Sequence, residues 1–378
     1  MVKKKNVLII NSGSTPIPPT SGGAVQQVLF DIACGLINRG WDVGILTPST
    51  RESEREGKKW NDKIRWYYIP GLVKSGGIKG ILNSISSIKK SLRNVNPDEY
   101  KNIIIFDPYI ASAVYKWNRH SKIIWSAHNG REKTKLLTNL WTRNVEDIVC
   151  ITEFLKREFV EITNRSKDSI KVINNPLQNY WLTDRISLDY QPNSILFCGR
   201  IVPQKGLDIL ISALETLSDD IKRKIQLGIV GSTHFYGAKE SSYSKAVREQ
   251  VENSGLNYKW HGYVSHNNLI ELYDQYDILA VPSNWDEPAT LVAPEGQARG
   301  CKIVATTAGG LPEMIAPVWR DYLAAPGDIN ALANSIQNII NLNDEKSQSF
   351  KLEALKWLRE KVGFEEVITK WEKLILED

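Results

Sequence analysis

The sequence predicts an α/β fold made of two doubly wound domains, and two observations support that prediction. The chain has 378 residues, more than one ordinary hydrophobic core holds. Short β-branched apolar runs alternate along it with segments whose apolar residues recur at helical spacing. The stretch from Val281 to Glu313 shows the repeating unit: an apolar run, a polar turn, a helical segment, a second apolar run and a glycine loop. Such alternation is typical of a parallel sheet whose carboxyl edge binds ligands.

The composition is that of a folded protein from a reducing compartment. Hydrophobic residues make up 42% of the chain and charged residues 24%. The four cysteines, at positions 34, 150, 198 and 301, have no metal-binding spacing, and we expect reduced thiols in the core. The basic amino terminus precedes only a short apolar run, and no other run reaches membrane length. We therefore expect a cytoplasmic protein without a membrane-spanning segment.

Positive charge is concentrated in the first half of the chain. Residues 1–180 contain 28 Lys and Arg against 16 Asp and Glu, a net charge of +12, and the remainder carries −7. This asymmetry indicates a surface for an anionic partner, or simply an uneven solvated surface. No helix-turn-helix, zinc-finger or RNA-binding aromatic pattern is present, so we expect no nucleic acid partner. An anionic membrane or a lipid-linked phosphate substrate fits better.

One segment of this half is amphipathic. Apolar residues recur at helical spacing from Ile78 to Val95, and the lysines lie mostly elsewhere on the helical wheel. Such a helix can rest on an anionic membrane surface, or it can pack on its own sheet. Both alternatives stay open from the sequence.

The first strand of the chain leads into a glycine pair. Asn6–Asn11 reads as a buried strand, and a helix is predicted from Ala24 to Arg39. Gly22 and Gly23 precede that helix, where the absence of a Cβ lets phosphate groups approach the backbone. The highly charged residues 51–63 are predicted to form a surface loop.

A histidine follows one of the later strands. Apolar runs at 103–106, 122–126 and 147–152 predict three more strands, the third being the last of its domain. His128 comes just after the second of them, at the sheet edge where α/β proteins bind ligands. A lone histidine in such a place is either structural or part of a site.

Two cations mark the start of the second half. Ser194–Arg200 reads as a strand that leads into a turn and a helix from Leu207, and Arg200 and Lys205 flank the turn. Cations beside an anion-attracting helix start suit a phosphate ligand, and solvated surface charges are the alternative.

Two carboxylates bracket the polar turn of the central stretch. Glu287 and Glu295 have seven residues between them. The backbone N–H groups of Thr290, Leu291 and Val292 are expected at the start of the helix that carries Glu295. Carboxylates beside an anion-binding turn suit a ligand with phosphate and hydroxyl groups, such as a nucleotide sugar. Two surface carboxylates that stabilise a helix dipole are the alternative.

This stretch resembles the signature of a known enzyme family. Glu287-Pro288, Glu295, Gly300 and residues 309–313 (GGLPE) resemble the motif of retaining GT-B glycosyltransferases of the glycogen-synthase-like type, family 4 and group 1. The resemblance implies two Rossmann-like domains facing a central cleft. Residues 1–180 would bind the acceptor, residues 181–363 would bind the nucleotide sugar, and the helix at 364–378 would pack back on the first domain.

The resemblance also implies a role for each candidate residue. Glu287 and His128 would lie at the reacting donor sugar, and Glu295 would hold the ribose. The other implied contacts are the donor diphosphate for Arg200, Lys205, Gly22 and Gly23, the donor sugar for Ala289, Thr290, Leu291 and Val292, and the base for Tyr263 and Val264. The family usually has an aromatic or small residue and then glycine where this chain has Ala289-Thr290, which leaves the identity of the sugar open.

These features predict an enzyme without a cofactor or metal. No two aspartates are separated by a single residue, so the Asp-x-Asp pair that holds a metal in some glycosyltransferases is missing. Arg200 and Lys205 would neutralise the departing diphosphate instead. The resemblance implies retaining transfer of a hexose from a UDP-sugar to a glycan or lipid-linked acceptor, in cell-surface polysaccharide or glycolipid synthesis. A nucleotide-sugar epimerase and a non-catalytic nucleotide-sugar-binding protein are the alternatives.

Overall fold

The computed structural model describes residues 5–13, 15–20, 23–60, 62–69, 77–129, 135–182, 190–232 and 240–377. The chain divides into two compact units, Met1–Pro176 with Phe364–Asp378, and Leu177–Gly363. The sequence placed the first boundary after residue 180. Each unit contains one parallel sheet, which confirms the predicted α/β fold.

The first sheet has seven strands in the order β3-β2-β1-β4-β5-β6-β7, all paired in parallel. They are β1 (Asn6–Ile10), β2 (Asp42–Pro48), β3 (Ile64–Ile69), β4 (Asn102–Ile105), β5 (Lys122–Ala127), β6 (Asp147–Cys150) and β7 (Ile170–Val172). The helices are α1 (Ala24–Asn38), α2 (Arg51–Gly57), α3 (Gly77–Leu92), α4 (Ala111–Trp117), α5 (Lys135–Thr142) and α6 (Glu153–Ile162). The strand order reverses between β1 and β4, and this switch point is where such sheets bind ligands.

The second sheet has six strands in the order β10-β9-β8-β11-β12-β13. They are β8 (Gln191–Cys198), β9 (Gln226–Val230), β10 (Asn257–Gly262), β11 (Tyr276–Val281), β12 (Lys302–Thr306) and β13 (Leu323–Ala324). The helices are α7 (Leu207–Glu215), α8 (Asp219–Lys222), α9 (Ser242–Asn253), α10 (Leu269–Tyr273), α11 (Val292–Ala298), α12 (Ile329–Ile340) and α13 (Asp344–Val362). Here the switch point lies between β8 and β11.

The last helix, α14 (Phe364–Leu376), belongs to the first unit. Its Glu372 carboxylate accepts hydrogen bonds from Lys5 Nζ at 2.9 Å, Arg39 Nη1 at 3.2 Å and Trp41 Nε1 at 2.9 Å. It also packs closely on α1, since a Cβ at Gly35 would overlap the Ile368 side chain. The carboxyl terminus therefore completes the core of the amino-terminal unit.

Two predictions for the first unit were wrong. Residues 51–63 do not form a loop, because Thr50 caps α2: its Oγ1 accepts from Ser53 N at 3.1 Å, while Ser53 Oγ accepts from Thr50 N at 2.9 Å. This reciprocal cap starts a helix in spite of the polar composition. The predicted last strand ends at Cys150, since Thr152 caps α6, and β7 pairs beyond it at the sheet edge.

No helix in the described ranges is both long and apolar enough to cross a bilayer.

Candidate functional site

The switch point of the second sheet brings together a lysine and a glutamate. Lys205 lies in the turn after β8 and Glu287 in the turn after β11, and these two strands are neighbours. Lys205 Nζ forms an ion pair with Glu287 Oε1, and Ser283 Oγ donates to the same oxygen at 2.8 Å. Glu287 is only 3% exposed, so its carboxylate is buried and held in one orientation.

Glycines allow these turns to approach one another. Gly206 has a φ of +67°, and a Cβ there would overlap the carbonyl oxygen of Pro282. Gly309 has a φ of +55°, and a Cβ there would overlap the Glu287 backbone. Gly310 N donates to Glu287 O at 2.6 Å. Side chains at these glycines would push the turns apart, which explains the glycine loop after β12.

The second carboxylate of the motif, Glu295, lies on α11 and is also 3% exposed. Its Oε1 is 2.8 Å from His266 Nε2, and its Oε2 accepts from Tyr273 Oη at 3.3 Å. Burial, together with nearby Cys198 and Glu295, raises the pKa of Tyr273 well above its usual value, so the phenol keeps its proton and donates. Both oxygens of the carboxylate are thus fixed by neighbouring side chains.

The segment before Glu295 contains the predicted donor-sugar residues. The helix α11 has seven residues and begins at Val292, with Leu291 at the N-cap position and no side-chain cap. Thr290 is buried, and Ala289 is half-buried. The structure thus places residues 289–292 at the start of this helix, as the sequence predicted, and their contact with a sugar stays a prediction.

The ends of β8, β9 and β10 form a further edge of the site. Gly231 has a φ of +137°, a Cβ there would overlap the Gly199 carbonyl oxygen, and its N–H donates to Gly262 O at 2.8 Å. Arg200 follows Gly199 and is exposed, and within the described part of the chain it has no ion-pair partner. The three turns thus contact one another through their backbones.

The predicted base-binding residues follow Gly262 at the end of β10. Tyr263 is 53% exposed, and Val264 packs partly against the core of the second unit. Their role toward a base stays a prediction.

His128 lies in the first unit, directly after β5. It is buried, its Nε2 is 2.9 Å from Ser126 Oγ, and its ring centroid is 5.9 Å from that of Phe106. Burial lowers the pKa of His128 to about 4, so the imidazole is neutral near pH 7. Its predicted contact with a donor sugar stays a prediction.

Gly23, the other predicted residue of the first unit, starts α1. It has a φ of +110°, which favours glycine, and no side chain caps the helix there. Its partner in the prediction, Gly22, lies outside the described residues.

The sequence analysis missed several residues that support these sites. Ser283, His266 and Tyr273 hold the two carboxylates, and none belongs to a recognisable motif. At the switch point of the first sheet, Ser12 Oγ donates to Asp107 Oδ2, and burial raises the pKa of that carboxyl group. Each of them lies two residues after the end of a strand, β1 or β4, and that position was the available signal.

The described residues contain no group of three or more His, Cys, Asp and Glu side chains that could hold a metal ion.

The two parallel α/β units, with polar side chains at the carboxyl edge of each sheet, match the GT-B fold of glycosyltransferase structures. The family model described as "Glycosyl transferases group 1" matches residues 183–357. The model described as "Glycosyltransferase Family 4" matches residues 21–178. The chain therefore belongs to the glycosyltransferases of the group 1 and family 4 type.

Curated relatives and a solved structure agree with this assignment. An uncharacterized glycosyltransferase of Methanocaldococcus jannaschii is 28% identical, over 86% of this chain and 87% of that protein. Lipopolysaccharide 1,2-N-acetylglucosaminetransferase of Salmonella typhimurium is 25% identical, over 67% of this chain and 68% of that protein. The crystal structure of Anabaena HepE in complex with UDP and glucose superposes with a TM-score of 0.76 at 18% identity, covering 98% of this chain and 99% of that one.

The buried His128 predicts an acid-dependent loss of stability. Because its pKa falls from 6.5 to about 4 on folding, its contribution is present above pH 6.5 and is lost as the pH falls toward 4. We expect the midpoint of urea-induced unfolding to fall more steeply for the wild type than for His128→Gln as the pH is lowered from 6.5 to 4. His120→Gln, which changes an exposed histidine, is the matched control and should follow the wild type. Parallel curves for the wild type and His128→Gln would contradict the prediction.

Proposed function

We propose that this enzyme transfers a hexose-type sugar from a nucleotide-diphosphate sugar, a UDP-sugar, to a glycan or lipid-linked acceptor with retention of configuration. The main observation is the buried Glu287 carboxylate, fixed by Lys205 and Ser283 at the switch point of the second sheet. The Salmonella relative, named as an N-acetylglucosaminetransferase, and the Anabaena structure with UDP and glucose support the donor class. The lipopolysaccharide relative also supports a role in cell-surface polysaccharide or glycolipid synthesis.

The chemistry requires opposite charges at two positions. Positive charge develops on the sugar as its bond to the diphosphate breaks, and negative charge develops on the leaving group. A carboxylate fixed before the reaction stabilises the positive charge on the sugar, and cations in the adjoining turn stabilise the negative charge on the diphosphate. Glu287 and the pair Lys205 and Arg200 supply these charges, with the acceptor attacking from the side that the diphosphate leaves.

Glu295 has a different role in this proposal. Its carboxylate lies in the first turn of α11 and accepts hydrogen bonds from the ribose hydroxyls of the donor. Those bonds exist before and during transfer, so they contribute to binding rather than to the reaction step.

Removing each carboxylate should therefore change different kinetic constants. We expect Glu287→Gln to lower kcat by about 10²–10³-fold, the range for losing one fixed electrostatic group. Glu295→Gln should chiefly raise KM for the donor by about 10–100-fold, which corresponds to losing hydrogen bonds to a charged group. Steady-state kinetics with a UDP-sugar, on variants of unchanged thermal stability, measures both effects. The assignment is wrong if Glu287→Gln raises only KM while Glu295→Gln abolishes kcat.

The same assay separates the proposal from its alternatives. With a labelled nucleotide sugar, transfer or slow hydrolysis indicates the transferase, and formation of an isomer indicates an epimerase. Tight binding without turnover indicates a nucleotide-sugar-binding protein.

We also propose that transfer needs no metal, since Lys205 and Arg200 provide the positive charge that a divalent ion provides elsewhere. Turnover should then persist in excess EDTA. A loss of turnover that Mg²⁺ or Mn²⁺ restores would contradict this.

The acceptor side of the proposal includes an anionic membrane surface on the first unit. In the described ranges nine large hydrophobic side chains are exposed. Six of them lie on three helices, and we call their surface the α3–α5 face. They are Ile78 and Leu82 on α3, Tyr115 on α4, and Leu136, Leu137 and Leu140 on α5. The three helices are neighbours, since Tyr109 contacts Trp141 at 6.2 Å between ring centroids and hydrogen bonds to Ser84.

The charged residues within the three helices are all positive. The helices α3, α4 and α5 contain five lysines and no acidic residue. The amino-terminal part of α3 is exposed, whereas Ile88 and Leu92 near its other end are buried. The helix thus packs on its unit near its carboxyl end, and at its amino end it leaves Ile78 and Leu82 exposed beside Lys79. Apolar anchors among cations favour an anionic lipid surface, and a peripheral cytoplasmic location follows from the proposal.

Vesicle flotation tests the α3–α5 face. We expect the full chain to float with anionic phosphatidylglycerol vesicles but not with neutral phosphatidylcholine vesicles, and added salt should weaken the binding. Leu136→Ser with Leu140→Ser should reduce flotation at least several-fold, because burial of each leucine contributes about 1.5–3 kcal/mol. Leu352→Ser changes an equally exposed leucine of α13 and is the matched control. Equal binding to both vesicle types, or no binding, would contradict the proposal that the α3–α5 face binds an anionic membrane.

A further inference from the structure

The Glu295 carboxylate has protein partners on both of its oxygens. His266 Nε2 lies 2.8 Å from Oε1 and Tyr273 Oη lies 3.3 Å from Oε2. An ionised carboxylate only accepts hydrogen bonds, and each oxygen offers about two positions. Within the described part of the chain, these two side chains occupy one position on each oxygen, so a carboxylate oxygen can still accept a further hydrogen bond.

The direction of these hydrogen bonds follows from the donors. The phenol of Tyr273 keeps its proton, so it donates to Oε2. For His266 to bond with a carboxylate oxygen, its Nε2 must carry hydrogen, as in the Nε2–H tautomer or the imidazolium. His266 thus acts as a donor whose position fixes the rotation of the carboxylate.

The surroundings fix His266 in turn. The ring of Trp181, which is 1% exposed, lies 5.0 Å from the ring of His266 and 5.9 Å from that of Tyr273. The imidazole is partly exposed, with 37% of its side chain accessible, whereas the Glu295 side chain is 4% exposed. His266 therefore lies between the buried rings of Trp181 and Tyr273 and the solvent.

His266 also belongs to the turn that carries the proposed base contacts. It lies four residues after Gly262, in the same connection as Tyr263 and Val264, and starts a short 3-10 turn before α10. One side chain thus ties the turn proposed for the base to the carboxylate proposed for the ribose.

We infer that His266 is a positioning residue for the nucleoside of the donor. It holds the Glu295 carboxylate so that the free positions on its oxygens face the ribose 2′- and 3′-hydroxyls. The inference rests on the proposed function, because it assumes that Glu295 binds a ribose. A purely structural His266 would stabilise the turn and have no influence that depends on ribose hydroxyls.

Titration calorimetry with nucleoside diphosphates distinguishes the two roles. UDP, GDP and ADP are each tested on the wild type, and the tightest binder is then compared with its 2′,3′-dideoxy counterpart. We expect His266→Leu to weaken binding of the diphosphate by about tenfold, the low end for removing the outer partner of a ligating side chain. Binding of the dideoxy analogue, which lacks the hydroxyls, should be nearly unchanged.

Two further variants sharpen the comparison. His266→Gln places an amide N–H near the position of Nε2 and should restore most of the affinity. His261→Leu is the matched control, since His261 lies in the neighbouring strand β10 and bonds to Tyr276 Oη at 2.8 Å rather than to Glu295. It should bind the diphosphate like the wild type. In turnover assays, His266→Leu should raise the donor KM and leave kcat close to normal.

The outcomes separate this inference from the proposed function. If the wild type binds no nucleoside diphosphate, the proposed function fails and the inference with it. If the wild type binds but His266→Leu matches it, the inference alone is overturned. The inference is also overturned if His266→Leu weakens binding of the dideoxy analogue as much as binding of the parent diphosphate. It is overturned too if His266→Leu and His266→Gln bind the diphosphate with the same affinity.

Discussion

The ion pair between Lys205 and Glu287 is the constraint on which the site of the second unit depends. A carboxylate that is 3% exposed costs several kcal/mol if it is left without a partner. The ammonium of Lys205 and the hydroxyl of Ser283 offset that cost only if the turns after β8 and β11 come into contact. Gly206 makes this contact possible, because a Cβ there would overlap the Pro282 carbonyl oxygen, and Gly309 lets the loop after β12 approach the Glu287 backbone in the same way. The Glu287 carboxylate can therefore be buried beside its partners only because glycine occupies positions 206 and 309.

The sequence contained the members of this site but not their pairing. Lys205 and Glu287 are 82 positions apart, and each follows a strand that periodicity could identify. Parallel strands place both at the same sheet edge, but only the strand order makes β8 and β11 neighbours, and no local pattern encodes that order. The partners of Glu295 were harder still. His266 lies in a 3-10 turn and Tyr273 at the end of a five-residue helix, so both reach the carboxylate through tertiary packing alone.

The errors in the predicted elements have local causes. Charged composition predicted a loop at 51–63, yet the reciprocal hydrogen bonds of Thr50 and Ser53 were sufficient to start α2. The strand β7 was overlooked because three residues at a sheet edge give no measurable alternation. For α3 the apolar period correctly predicted a helix. It could not predict that Ile88 would be covered and Ile78 left exposed, because coverage depends on which neighbours the fold supplies.

The membership of α14 in the first unit has a consequence for biosynthesis. A ribosome releases the chain from its amino terminus, so Lys5, Arg39 and Trp41 emerge long before Glu372, which joins all three. Until α14 leaves the exit tunnel, the face of α1 around Gly35 has no Ile368 to cover it, and the entire second unit has already been synthesised. Domains generally fold as units in the order of synthesis. Here the unit that is made first is the one that finishes last, and a chain truncated before residue 364 would leave its amino-terminal core open.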